Sequence, residues 1–132
     1  MKRYSKLLND IGYKFKNYDF LNIALTHSSF NPSKINYEKF EFLGDRVLGL
    51  IISESIFRKF ANDSEGELAK KLSFLVCKNT LKKIANIIDL HEYLNISKNL
   101  SIKSIDSIKA NSLEALIAAI FWIQTLELLV KL

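Results

Sequence analysis

The chain has 132 residues, 48% hydrophobic and 25% charged, which excludes a disordered polymer and leads us to expect one domain spanning 1–132. With 4 Gly, 1 Pro and 1 Cys, collagen-like and disulfide-framework folds are excluded, and two His plus that Cys cannot form a structural zinc cage. The net charge of +5 attracts polyanions without naming one.

The basic N-terminus carries no apolar stretch long enough for a signal peptide, since Asn9, Asp10 and Lys14 interrupt it. Phe20, Leu21, Ile23, Ala24 and Leu25 predict a helix over 19–27, and Asn31-Pro32-Ser33 breaks the chain. Apolar residues then recur from 37 to 60 around much of a helical circumference, so a central, buried helix is expected. Asn62-Asp63-Ser64 turns the chain. Ser64-Glu65-Gly66-Glu67 has capping-box form and opens a helix to about 76.

A helix over 79–88 should turn Leu81, Ile84, Ala85, Ile87 and Ile88 inward. The polar stretch 95–109 reads as a surface loop, and a last helix starts near 108. The longest apolar run, 115–123, is too short to cross a membrane. The expected class is all-α and the expected compartment cytoplasmic, with Cys77 a buried, inert thiol.

Glu38, Glu41 and Asp45 stand three and four residues apart, so they share one helix stripe. Surrounded by Phe40, Phe42, Leu43, Val47 and Leu48, three carboxylates repel one another and resist burial unless a cation joins them. The plainer alternative is a solvated edge. Asn111 and Glu114 stand three apart on the last helix, ahead of Ala115-Leu116-Ile117-Ala118-Ala119, which suits close packing on a neighbour. Alone, Glu114 could be a first-turn carboxylate favoured by the helix dipole. Together, Glu41, Asp45, Asn111 and Glu114 would form a ring of hard oxygen donors suited to magnesium.

The run Tyr37-Glu38-Lys39-Phe40-Glu41-Phe42-Leu43-Gly44-Asp45-Arg46-Val47-Leu48 closely resembles the signature helix of the ribonuclease III family, N-E-R-L-E-F-L-G-D-S-V-L. Leu25-Thr26-His27-Ser28-Ser29-Phe30 resembles its L-T-H-x-S-[FY], and Glu65-Gly66-Glu67-Leu68 its E-G-[ED]-L. Leu75-Val76 with Thr80-Leu81 resembles L-V-x-x-x-T-L. Ala110-Asn111-Ser112-Leu113-Glu114-Ala115-Leu116-Ile117 resembles A-D-x-x-E-A-[LIV]-[IL]. Five ordered matches over about 5–121 make a far more specific signal than one motif.

The resemblance implies the family's helical endonuclease fold and a metal-dependent endonuclease that cuts double-stranded RNA. It implies 5′-phosphate and 3′-hydroxyl products, with a short 3′ overhang. By it, Glu41, Asp45 and Glu114 are catalytic metal ligands, and Asn111 stands where the family usually has an Asp ligand. Glu38 and Glu65 match acidic positions near RNA and the scissile phosphate. Phe42 matches an aromatic that packs into the partner of a homodimer. The expected cofactor is Mg2+, with Mn2+ able to substitute, and metal-water chemistry needs no imidazole base. His27 is therefore read as a structural hydrogen-bonding residue and His91 as a surface or packing one.

Several departures bear on function. Asn111 removes one negative charge and predicts weaker metal affinity. Arg46 stands at a usual Ser and is expected to pair with an acid or a phosphate. Phe121-Trp122-Ile123-Gln124-Thr125 departs from the usual Y-L-D-x-G. Many members continue into a double-stranded-RNA-binding domain, for which 132 residues leave no room, so weak and salt-dependent RNA binding is expected. The lysines at 34, 39, 70, 71, 78, 82, 83, 98, 103 and 109 are candidate phosphate contacts, fewer than half of them expected to touch RNA. Two rival readings stand: a catalytically weakened RNA-binding or ribosome-associated domain of the same fold, and a helical dimerisation module.

Overall fold

The computed structural model describes residues 2–15, 17–30 and 36–131. The predicted break at 31–33 and Lys34 lie outside these. Among the described residues six α-helices follow in order: α1 (Ser5–Ile11), α2 (Asp19–Ala24), α3 (Asn36–Lys59), α4 (Glu65–Val76), α5 (Lys78–Ile87) and α6 (Ile102–Lys131). Short 3-10 turns occupy Lys2–Tyr4 and Leu90–Tyr93. No strand forms among the described residues. The all-α expectation holds.

The long helices α3 and α6 make the most extensive contact, with α5 and α2 packed on α6 and α4 on α3. The core joins Leu7, Leu21, Leu25, Leu81, Leu90 and Leu116, and Ala110, Ala115 and Ala119 let the helices approach. At the crossing of α3 and α6, Gly44 faces the backbone of Glu114 so closely that a Cβ would stand 1.7 Å from its carbonyl oxygen. Glycine is what brings the acidic stripe of α3 against Glu114.

Several expectations need correction. No element was expected before residue 19, yet α1 forms there, because Leu7 and Leu8 bury and Gly12, at φ 69, ends it in the left-handed region that glycine favours. The final helix starts at Ile102, six residues earlier than expected, because Ser101 caps it: its Oγ accepts the Ser104 N–H at 3.1 Å. The same helix continues to Lys131, through the segment whose sequence departs from the family pattern.

The central helix is not buried all round. Phe42, Leu50, Ile51 and Phe57 are exposed, so apolar side chains of α3 over about half its circumference are uncovered in the single chain. On α5, Leu81 and Ala85 are inside, whereas Ile84 and Ile87 face out. Cys77 is also exposed, because it forms the one-residue joint between α4 and α5. Hydrogen bonding from Thr80 lowers its thiol pKa.

His27 performs the expected structural task. Its Nδ1 accepts the Ser29 N–H at 3.0 Å, and its ring packs edge-on against Tyr37 with centroids 5.1 Å apart. The surrounding segment is clasped to the chain near 95: the Asn95 N–H donates to the Leu25 carbonyl at 2.8 Å, and the His27 N–H to that of Asn95 at 3.0 Å. His91 lies at the surface.

Candidate active site

A cavity of about 410 Å³ opens where α3, α5 and α6 meet, lined by Glu38, Glu41, Phe42, Asp45, Lys78 and Glu114. Helical periodicity puts Glu38, Glu41 and Asp45 on the α3 side. Glu114 comes from the middle of α6, where its side chain is only 2% exposed. Lys78, the first residue of α5, closes the third side. Its Nζ donates to Glu114 Oε1 at 2.7 Å and to Asn111 Oδ1 at 2.5 Å. Glu41 is partly buried here, whereas Asp45 lines the cavity yet keeps 48% of its side chain exposed, so the solvated-edge reading of the α3 stripe holds in part.

The electrostatics follow from this crowding. Burial pushes the Glu114 carboxyl up to about 7; Asp45 adds to the rise, while Lys78 pulls the other way. Burial likewise raises Glu41, with Glu38 and Asp45 reinforcing it and Lys78 opposing. Arg46 pairs with Asp45 and lies 5.1 Å over the Phe42 ring, as expected of a residue able to meet an acid. As the side chains stand, no three carboxylate, imidazole or thiolate groups among the described residues close on a single point. Lys78 is held by two of the candidate donors and Arg46 by a third.

The donor chemistry nevertheless fits a hard divalent cation. Glu41, Asp45 and Glu114 bring carboxylate oxygens to the cavity from two helices; Asn111 is not among its lining residues, but its Oδ1 and Glu114 Oε1 already accept from one cationic group. Glu65 begins α4 behind the Ser64 capping box and is not among the cavity-lining residues. Phe42 edges the cavity with 64% of its surface exposed.

Of the candidate phosphate lysines, Lys71 pairs with Asp63, Lys82 with Asp106 and Lys109 with Asp106, so these are engaged by acids of the chain. Sequence reasoning missed Tyr37 and Ser112, whose buried hydroxyls meet at 2.9 Å one residue from Glu38 and two from Glu114. A tyrosine and a serine are too common to signal such a bond from sequence. It also took Lys78 as a phosphate contact rather than as the partner of Glu114.

An all-helical domain with carboxylates from two crossing helices at one cavity belongs to a definable class, and comparison identifies it. The ribonuclease-III-like family model matches residues 17–131, and the chain belongs to that family. Ribonuclease 3 of Clostridium tetani is 46% identical over 121 residues, covering 87% of this chain and 52% of the relative. Ribonuclease 3 of Rhizobium meliloti is 42% identical over 115 residues, 84% of this chain and 48% of the relative. The chain thus spans about half the length of these curated relatives. Among solved structures, the nuclease domain of ribonuclease III from Campylobacter jejuni, described for flexibility in its dimer-forming region, superposes with a TM-score of 0.82. Its identity is 41%, covering 89% of this chain and 83% of that one. No helix among the described residues is long and apolar enough to cross a membrane.

Proposed function

We propose that this chain is a divalent-metal-dependent endoribonuclease domain, acting in the cytoplasm as a homodimer on double-stranded RNA and leaving 5′-phosphate and 3′-hydroxyl ends. The observation that carries the reading is the meeting of Asp45 and Glu114, from separate helices, at one cavity with Glu41. Glu41, Asp45, Asn111 and Glu114 would hold Mg2+, or Mn2+ in its place. Such an ion supplies an activated water and offsets charge on the departing 3′ oxygen.

The chain's own residues do the rest. Gly44 fixes the spacing between the two acid-bearing helices, and the Tyr37–Ser112 bond locks their register. Glu38 lines the same cavity, where it would meet the incoming phosphate and its water. Two-fold pairing through Phe42 suits antiparallel RNA strands, which present related phosphates to identical sites. Recognition would rest on A-form shape and 2′-hydroxyls, because the major groove of RNA is too narrow to read.

Asn111 favours one second reading, a catalytically weakened RNA-binding domain of the same fold. Incubation of the protein with long double-stranded RNA, with Mg2+ or with chelator, separates the two. Metal-dependent cleavage abolished by Glu114→Ala supports the nuclease; binding without cleavage supports the alternative. If Asn111→Asp leaves both rate and magnesium dependence unchanged, residue 111 is not a ligand.

A further inference from the structure

We propose that Lys78 is a tethered competitor of the divalent cation: its ammonium joins Glu114 to Asn111, and an ion enters the site by displacing it. The inference rests on the metal-binding reading above and adds a regulatory element to it.

Three observations carry it. The ammonium contacts two of the four candidate oxygen donors, at 2.7 and 2.5 Å, so it and an ion compete for the same lone pairs. The two ends of the contact differ sharply in exposure. The Lys78 side chain is 60% exposed and can swing into water at little cost, whereas Glu114 is 2% exposed and cannot follow. Finally, Lys78 is held at its base, because Cys77 alone, extended at φ −68 and ψ 157, joins α4 to α5. The cation is therefore always within reach of the site and acts at high effective concentration. Asn111 suits this arrangement, since its neutral amide accepts from the ammonium while adding no charge that would strengthen the hold of an ion.

The test is Mn2+ binding by titration calorimetry on the chain without RNA, together with thermal unfolding in chelator and in saturating Mn2+. Lys78→Ala should bind Mn2+ roughly five- to tenfold more tightly than wild type. Lys82→Ala removes the same charge one turn along α5, where it pairs with Asp106 at 3.7 Å, and should change affinity less than about twofold. In chelator Lys78→Ala should melt below wild type, because Glu114 loses its partner; in saturating Mn2+ that gap should close. Equal or weaker Mn2+ binding by Lys78→Ala, an equal gain in Lys82→Ala, or a melting gap that persists with Mn2+ would overturn the proposal. If wild type binds Mn2+ and cleaves RNA while Lys78→Ala behaves identically, only this inference falls. If wild type, Lys78→Ala and Asn111→Asp all bind no Mn2+, the metal-dependent reading falls with it.

Discussion

The crossing of α3 and α6 can be challenged with one methyl group. In Gly44→Ala the new Cβ would stand 1.7 Å from the Glu114 carbonyl oxygen, 2.4 Å from its carbonyl carbon and 3.1 Å from its Cα. All three are backbone atoms, so no side-chain rotation relieves the clash. Reaching ordinary contact at 3.4 Å means parting the helices by roughly 1.7 Å, in a core packed to crystal density. Overpacking of this kind costs roughly 1–3 kcal/mol and more against rigid backbone, while replacing a helix-interior Gly by Ala returns about 1 kcal/mol. The expected net loss is about 2 kcal/mol, a fall in Tm of roughly 8 °C for a chain this size. Gly49 provides the control on the same helix, since its added Cβ would meet nothing within 4 Å. Gly49→Ala should gain up to about 1 kcal/mol from propensity alone. Urea unfolding followed by far-UV circular dichroism reads both. Opposite signs are expected; a Gly44→Ala variant as stable as wild type would refute the close crossing and the site geometry built on it.

Tyr37→Phe strands the buried Ser112 hydroxyl and should cost about 1–2 kcal/mol by urea unfolding, with Ser112→Ala in the same background adding little further loss. Ser101→Ala removes the cap of α6 and should cost about 1 kcal/mol, while Ser101→Asp keeps wild-type stability. Glu114, pushed up to about 7 by burial from an ordinary 4.5, binds its proton more tightly folded than unfolded. Its contribution to stability is therefore full below pH 4.5 and lost as pH rises through 7, by roughly 1–3 kcal/mol in chelator. Glu114→Gln should flatten that slope; an unchanged profile would assign it to other groups.

What could be read in advance divides along the range of the interactions. Carboxylates three and four apart must share a helix face, so the α3 stripe was legible from spacing, as was the Ser64 capping box. Ser101 is a residue type favoured at an N-cap, but Ser104 three residues on cannot complete a capping box, and the polar composition of 95–109 masked the helix start. Lys78 had no such signal. Its partners lie 33 and 36 residues away, and only the one-residue joint at Cys77 brings it to them. The exposed apolar residues of α3 misled for a different reason: periodicity reports that a face is apolar, not whether this chain or another covers it.

The same distinction explains why the site is held under electrostatic tension. Gly44 and the small residues of α6 press Glu114 into a buried position beside Asp45 for reasons of backbone packing. Packing thereby imposes a cost that a charge must offset, because a buried carboxylate near a second one favours either a proton or a cation. At Glu114 that positive charge comes from Lys78, whose ammonium stands 2.7 Å from its carboxylate. A buried carboxylate held by one exposed ammonium leaves room for a better cation. The steric demand of one glycine and the ion-binding capacity of the cavity are thus two consequences of one helix crossing, and a substitution that relaxes the first should weaken the second.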